Sequence, residues 1–232
     1  MLIAYFTLDF NKILSTPNII IRAVFTFKYN YALIRQLIIT LQSVIALDGM
    51  RTELIRKIKT NKGYVYLIDS DLYNIDRKQF LSKKDFQAQV VRLFLTAKIG
   101  DHVLNHNDSG APFLVDSNYH LSISHCDHLF AIYLSSFEFI GVDIEVIKKD
   151  IQKIIPYFIN QQERNTNWTF EQLYIIWCTK EAVYKSKKGN IRDLAAEVTV
   201  KSITNNKVIY TFKNQLEKLS YEITDNWVLT YN

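Results

Sequence analysis

The chain has 232 residues, of which 48% are hydrophobic and 22% are charged, and its formal net charge is +5. This is the composition of a globular protein with a substantial core, and 6 glycines and 3 prolines exclude collagen-like repeats and argue against long disordered linkers. The mildly basic balance suits anionic partners such as nucleotides, acidic proteins, nucleic acid or anionic lipid, without choosing among them.

The first predicted elements fall in an apolar N-terminal region, with strands at 1–10 and 19–29 and a helix at 31–47. Arg22 and Arg35 interrupt its apolar runs, and none approaches the ~18 residues that a membrane-spanning helix needs. No cleavage site of the secretory type is recognisable. Because the two cysteines are also far apart, we expect a protein of the reducing cytoplasm that does not bind membranes.

In the middle of the chain a strand that runs into a turn is predicted at 63–74, and a helix at 82–100. The helix signal is strong, because Ser82 can cap the first turn with Asp85 three residues later, and Gly100 can end the helix. A loop is predicted at 106–118, which is dense in Asn, Asp, Ser, Gly and Pro.

The rest of the chain is predicted to mix short strands with two helices. In order, the pattern predicts strands at 119–125, 129–136 and 137–146, helices at 150–160 and 168–188, and strands at 197–203, 207–212 and 227–232. There is no regular βαβ alternation, so the predicted fold class is α+β.

Two carboxylates stand two residues apart in the segment "GVDIE", where a strand is predicted. Asp143 and Glu145 should therefore project from one face of the strand, while Val142 and Ile144 face the core. Two like charges repel each other, and a hard divalent cation such as Mg²⁺, which prefers oxygen ligands, would relieve that repulsion. Taken alone, however, the pair fits a solvated strand face better.

The segment "WCTKEAVYK" lies on a predicted helix. Trp177, Glu181 and Lys185 are spaced four residues apart and share one stripe of that helix. The simpler interpretation is a surface Glu–Lys pair. Cys178 could be proposed as a nucleophile, but an apolar helix position favours a packed thiol.

A third polar segment, "SISHCDH", places Ser122, Ser124 and His125 near the end of a predicted strand. Serine hydroxyls and an imidazole can bind phosphate oxygens through hydrogen bonds. The alternative is a zinc site made by the histidines and cysteines here together with Cys178, but their spacing matches no regular zinc pattern.

In combination and order, these three segments resemble the 4′-phosphopantetheinyl transferase superfamily, in particular the surfactin-synthetase-activating type of holo-carrier-protein synthase. The resemblance covers roughly residues 76–200 and is best over 121–189. It implies a pseudo-twofold duplication of two similar αβ halves, each a small antiparallel sheet packed on helices. We place these halves at 1–115, poorly matched before about residue 76, and at 116–232, and expect a monomer.

The resemblance implies an enzyme that transfers the 4′-phosphopantetheine group of coenzyme A to a serine of an acyl or peptidyl carrier protein. The reaction depends on Mg²⁺ and releases adenosine 3′,5′-bisphosphate. By resemblance, Asp143, Glu145 and Glu181 would bind the Mg²⁺. Glu181 would also deprotonate the carrier serine, while Lys185 would neutralise the pyrophosphate and protonate the leaving phosphate.

The same resemblance implies contacts with coenzyme A by further residues, namely Ser124, His125, Lys180, Arg92 and Arg77. Two features depart from the family pattern: Ala111 stands where a phosphate-contacting lysine is common, and the lysine-rich segment "KSKKGNI" lacks the second glycine often found after the motif helix. The alternative is therefore a catalytically weak relative that binds coenzyme A or carrier protein without transfer. A nucleic-acid-binding module is disfavoured, since basic and aromatic residues form no clustered motif. Whether the carrier serves fatty-acid, polyketide or nonribosomal-peptide synthesis is left open.

Overall fold

The computed structural model describes residues 54–73, 80–148 and 151–232. The strands predicted at 1–10 and 19–29 and the helix predicted at 31–47 lie outside the described residues. In the part of the chain that is described, no helix is long and apolar enough to cross a membrane.

Within these residues the protein is a mixed α+β fold, which confirms the predicted fold class. Its strands are β1 (Leu54–Lys59), β2 (Gly63–Asp69), β3 (Leu104–His106), β4 (Pro112–Leu114), β5 (His120–Cys126), β6 (Leu129–Ser135), β7 (Val142–Val146), β8 (Val198–Thr204), β9 (Lys207–Phe212), β10 (Gln215–Ile223) and β11 (Trp227–Tyr231). Its helices are α1 (Lys83–Ile99), α2 (Ile155–Phe158), α3 (Gln161–Arg164), α4 (Phe170–Ser186) and α5 (Leu194–Glu197).

Two antiparallel sheets form the framework. The first has four strands in the order β1-β2-β6-β5, and the second has five strands in the order β7-β11-β10-β9-β8. Strands β3 and β4 form a separate two-stranded ribbon. The first sheet therefore joins β2 to the later hairpin β5–β6, and β7 pairs with the last strand of the chain.

The first sheet is buried on both faces, as β2 illustrates. Tyr66 and Ile68 point to a core shared with α1, whereas Val65 and Leu67 point to a core shared with β7 and β11. Alternate residues of a strand face opposite sides, so a continuous apolar run is what such a position requires. Helix α1 covers the outer face and begins and ends where predicted, with the Ser82 hydroxyl accepting a hydrogen bond from the backbone N–H of the third helical residue.

Helix α4 packs against the second sheet and carries the "WCTKEAVYK" segment. Thr169 caps its N-terminus in a reciprocal arrangement with Gln172. Its approach to β7 depends on Gly141, because a Cβ there would lie 1.9 Å from the carbonyl oxygen of Ala182. The missing side chain lets the helix lie directly on the backbone that leads into β7, and this brings the two acidic segments together.

Some elements differ from their prediction. The strand predicted at 137–146 begins only at Val142, because Phe137 and Phe139 lie exposed on a loop. The helix predicted at 150–160 is divided: its described part holds a 3₁₀ turn at Ile151–Lys153 and the short α2, which has a proline in its first turn.

Four strands, β1, β3, β4 and β10, were not predicted. In β10 only Leu219 is buried, so the strand has too few apolar residues to show a period of two. Its pairing on both sides, with β9 and β11, holds it in the sheet. Strand β3 ends at the first residue of the loop predicted at 106–118, and β4 lies within that predicted loop. The turn between the two strands contains the Asn, Ser and Gly residues on which the loop prediction rested.

Candidate active site

Strand β7 directs two carboxylates towards α4. Val142 and Ile144 are fully buried in the apolar core between the sheets, whereas Asp143 and Glu145 make hydrogen bonds with side chains of α4. The acidic residues therefore share one face of the strand, and that face meets the helix that carries Glu181.

Asp143 is the centre of the cluster and is only 3% exposed. Its Oδ1 accepts hydrogen bonds from the hydroxyl of Ser124 at 2.7 Å and from the ammonium of Lys185 at 2.6 Å. Its Oδ2 is also buried and accepts no hydrogen bond from the described residues. A buried carboxylate oxygen without a donor is costly, by roughly 1–3 kcal/mol or more, and is the kind of atom that a bound cation would satisfy.

Glu145 is half-buried next to Asp143. The indole N–H of Trp177 donates to its Oε1 at 3.2 Å. Burial and the neighbouring Asp143 raise the pKa of Glu145, and the Trp177 hydrogen bond opposes this in part. The ionised form of Glu145 is therefore unfavourable here, and a bound cation would stabilise it.

Glu181 completes the group from α4. Burial and the charge of Asp143 raise the pKa of Glu181 to about 7, although the ammonium of Lys185 acts in the opposite direction. A carboxylate with a pKa near neutrality accepts and releases a proton readily at physiological pH, which is the property required of a general base.

This pKa predicts how stability depends on pH in the metal-free protein. Because the folded-state pKa of Glu181 is raised from 4.5 to about 7, the folded state binds more protons than the unfolded state between these pH values. The free energy of unfolding should therefore fall as the pH rises through this range. In Glu181→Gln, the decrease in the free energy of unfolding between about pH 5 and pH 8 should be smaller than in wild type by about 1–3 kcal/mol. Urea denaturation at the two pH values, with a chelator present, measures this difference.

Glu171→Gln is the matched control, because Glu171 is exposed on the first turn of the same helix and its hydrogen bonds there lower its pKa. Removing this carboxylate should change the pH dependence in the opposite direction or not at all. An equal effect of both substitutions would contradict the assignment to Glu181.

The imidazole of His125 lies near the end of β5, within electrostatic range of Asp143 and Lys185. It packs against Phe130 at 5.5 Å between ring centres, and its Nδ1 is 3.1 Å from the side-chain amide nitrogen of Gln87 on α1. Partial desolvation and the charge of Lys185 lower the pKa of His125, so the ring is neutral at neutral pH. With Gln87 donating to Nδ1, the ring hydrogen lies on Nε2 and can be donated to a ligand.

Lys180 is not part of this cluster, which corrects the expectation that it contacts pyrophosphate. The side chain is fully buried, and its ammonium donates to Glu163 Oε2 at 2.7 Å and to the carbonyl oxygen of Phe158 at 2.5 Å. The reason is helix geometry: adjacent residues point about 100° apart, and Lys180 points to α2 and α3, whereas Glu181 lies close enough to Asp143 to be affected by its charge.

Neither of the two predicted arginine contacts is tested by the structure. Arg92 lies exposed on α1, and the structure shows no hydrogen bond or ion pair between it and the described residues of the cluster. Gln87 of the same helix does reach the site, and Arg92, five residues further on, lies on a different face. Arg77 lies outside the described residues. Both contacts stay predictions.

The two thiols near the cluster are packed groups. Cys178 is fully buried, and burial raises its pKa well above the usual value. Burial likewise raises the pKa of Cys126 to about 11. Neither thiol ionises near neutral pH, and thiolates rather than thiols are the nucleophiles.

A cleft of about 520 Å³ opens beside the cluster, which is within the size range of small-molecule sites. Two of its lining residues connect it to the start of β7. Lys185 bonds to the carboxylate of Asp143, and the hydroxyl of Ser122 accepts the backbone N–H of Val142. The loop from Asn107 to Ala111 also contributes to the lining.

The donor set fits a hard divalent cation, although the described residues contain no ready-made group of three or more His, Cys, Asp or Glu side chains that could hold a metal ion. Three carboxylates, those of Asp143, Glu145 and Glu181, are within electrostatic range of one another, with Lys185 as a nearby countercharge. Their oxygens suit Mg²⁺, and the unbonded Oδ2 of Asp143 is free to act as a ligand.

Sequence reasoning assigned no role to Gln87 or to the indole of Trp177. The contact of Gln87 joins residues 38 positions apart and that of Trp177 residues 32 apart. Trp177 could have been found, because it shares a helix stripe with Glu181. The role of Gln87 could not be predicted from the sequence, since nothing in its own helix indicates a hydrogen-bond partner on β5.

Comparison with known proteins concerns the C-terminal part of the chain. No curated protein matches the chain. The part that includes β7 and α4, and with them every carboxylate of the cluster, is similar to a described family: residues 139–231 match the model of the 4′-phosphopantetheinyl transferase superfamily.

Proposed function

We propose that the protein is a Mg²⁺-dependent 4′-phosphopantetheinyl transferase of the surfactin-synthetase-activating, holo-carrier-protein synthase type. It would transfer the phosphopantetheine group of coenzyme A to a serine of an acyl or peptidyl carrier protein and release adenosine 3′,5′-bisphosphate. The family match supports phosphopantetheine transfer as the reaction class. The observation that carries the proposal is the buried Asp143, with one oxygen held by Ser124 and Lys185 and the other unbonded, beside a ligand-sized cleft.

The geometry suits transfer of a phosphoryl group, which requires positioning and charge stabilisation more than covalent catalysis by the protein. The serine oxygen would bond to the phosphorus of the phosphopantetheine group as the pyrophosphate P–O bond breaks. Glu181, with its raised pKa, would accept the serine proton. Lys185, which lines the cleft, would donate a proton to the leaving phosphate.

Mg²⁺ would be held by Asp143, Glu145 and Glu181, and would neutralise the charge of the pyrophosphate. The neutral imidazole of His125 would donate a hydrogen bond from Nε2 to a phosphate oxygen. Ser124 would mainly orient Asp143 rather than contact the phosphates, since its hydroxyl donates to Asp143. A cation at this point would also offset the repulsion that raises the pKa of Glu145 and Glu181.

The proposal also concerns the internal symmetry, oligomeric state and cellular location of the protein. Each of the two sheets carries one long helix, α1 on the first and α4 on the second. We propose that these layers are the two pseudo-twofold related halves of a monomeric cytoplasmic enzyme. Because β5 and β6 belong to the first sheet, the first layer continues past residue 115 to Ser135.

The test is transfer itself, observed by intact-protein mass spectrometry. The purified protein is incubated with coenzyme A, Mg²⁺ and apo-carrier proteins from fatty-acid, polyketide and nonribosomal-peptide systems. At least one carrier should gain one phosphopantetheine group, and a chelator should prevent the gain. Binding of coenzyme A without a mass gain on any carrier would instead support the weak relative that binds without transfer.

A further inference from the structure

Helix α4 ends in a conformation that its sequence does not favour. The N–H of Gly189 bonds to the carbonyl of Tyr184, and the N–H of Lys188 to that of Lys185. This is the Schellman arrangement, whose left-handed position is usually occupied by glycine. Here Lys188 occupies it, with φ at 53°, and the glycine follows one residue later. A lysine in the left-handed region is strained relative to its usual conformation.

The side chain of Lys188 crosses to the loop that precedes β7. Its ammonium is 2.5 Å from the carboxylate of Glu138, and both side chains are substantially exposed, at 37% and 48%. Exposed ion pairs stabilise a fold very little, so this pair does not compensate for the backbone strain. The backbone at this position is fixed separately, since the hydroxyl of Ser109 donates to the carbonyl of Lys188 at 2.6 Å.

Lys188 lines the same cleft as Lys185 and Glu138. Lys185 marks the inner end, where it contacts Asp143. The loop from Asn107 to Ala111, which also lines the cleft and contacts the backbone of Lys188 through Ser109, contains no lysine or arginine. Lys188 therefore adds a second ammonium to that of Lys185 beside a loop that supplies none. Glu138 holds that ammonium through a contact that a bound anion can replace.

We propose that Lys188 is an anion-binding residue of the cleft, which contacts a phosphate group of coenzyme A after exchanging Glu138 for it. This inference rests on the proposed function, because it takes coenzyme A as the ligand. The lysine is retained at a strained position for binding, and Glu138 acts as a competing anion that lowers the apparent affinity.

The experiment separates strain from binding by comparing two lysines in the same backbone conformation. Lys188→Gly relieves the strain and removes the ammonium. Lys213→Gly is the matched control, because Lys213 also has a positive φ, at 48°, and is exposed away from the cleft. Neither variant should unfold at a lower urea concentration than wild type. Only Lys188→Gly should weaken binding of coenzyme A, about tenfold by calorimetry, whereas pantetheine, which lacks phosphate, should show no such difference.

Glu138→Gln tests the competition. It should tighten binding of coenzyme A about threefold in the wild-type background and have no effect in the Lys188→Gly background, because the pair no longer exists there. Equal tightening in both backgrounds would show that Glu138 acts only through the general charge of the surface, and would overturn the exchange.

The outcomes also separate this inference from the proposed function. If wild type binds coenzyme A and modifies a carrier, but Lys188→Gly binds as well as Lys213→Gly, the role of Lys188 is overturned and the transferase stands. If wild type does not bind coenzyme A at all, both are overturned. A lower stability of Lys188→Gly with unchanged affinity would make Lys188 a structural residue.

Discussion

Lys180→Met is expected to lower the free energy of unfolding by about 3–5 kcal/mol. The ammonium of Lys180 and the carboxylate of Glu163 are both completely buried and 2.7 Å apart. Burial lowers the pKa of Lys180, and Glu163 opposes that effect. Methionine preserves most of the volume but leaves an unpaired buried charge on Glu163. Denaturation by urea, followed by circular dichroism, measures the loss.

The remaining hydrogen bonds of Glu163 explain why leaving its charge without Lys180 costs free energy of unfolding. Its two oxygens also accept backbone N–H groups from Asn160 and Val200, at 2.9 and 2.7 Å. The carboxylate thereby joins α3 and β8 to the helix that carries Glu181. A structural rather than a phosphate-binding role follows, in which the pair fixes α4 against the second sheet.

The double variant Lys180→Met/Glu163→Gln removes both charges together. Its loss of free energy of unfolding should therefore be smaller than the sum of the losses in the two single variants, by about 2 kcal/mol or more. Lys201→Met is the matched control: this lysine is exposed, and the partner it bonds to among the described residues, Gln162, is neutral. It should cost less than about 0.5 kcal/mol. Additive losses in the pair, or a loss in the control of similar size, would contradict the buried ion pair.

Local periodicity was sufficient to predict the parts of the site that lie within one element. The alternation in "GVDIE" predicted that Asp143 and Glu145 share a face, and the structure places Val142 and Ile144 in the core behind them. The capping residues of α1 and the helical spacing in α4 were predicted for the same reason. Such features depend on neighbours a few residues away, which the sequence displays directly.

Contacts between distant segments could not be predicted in this way. The bond from Ser124 to Asp143 spans 19 positions, and it depends on how β5 and β7 approach each other across two sheets. The misplaced role of Lys180 has the same origin. Its buried partner, Glu163, lies 17 positions earlier on a four-residue helix, and nothing at Lys180 itself distinguishes a buried ammonium from one that faces a ligand.

Asp143→Asn is expected to lower the rate of phosphopantetheine transfer by about 10³-fold or more, a loss typical of removing a central electrostatic group. The amide retains the size of the side chain and an oxygen for the hydroxyl of Ser124 and the ammonium of Lys185. It removes the charge that a cation needs, and it replaces one of the carboxylate oxygens that could bind it. Single-turnover mass spectrometry with coenzyme A and a carrier protein measures the rate.

Stability should respond in the opposite sense from activity, and this distinguishes a binding role from a structural one. Asp143 is a buried carboxylate with an unbonded oxygen, and its charge raises the pKa of both Glu145 and Glu181. Neutralising it removes that repulsion, so without metal the variant should be as stable as wild type or more stable. Wild type should gain thermal stability when Mg²⁺ and coenzyme A are added, and the variant should gain less.

Asp127→Asn provides the matched control, because Asp127 is exposed, pairs with Lys148 at 3.1 Å and has a positive φ that asparagine tolerates. It should leave transfer and the response to Mg²⁺ unchanged. If Asp143→Asn lost activity only in proportion to a loss of folded protein, Asp143 would be a structural residue. The cluster would then need another explanation for its unbonded oxygen. A variant that is folded, at least as stable as wild type, inactive and insensitive to Mg²⁺ is the result that a cation-binding carboxylate predicts.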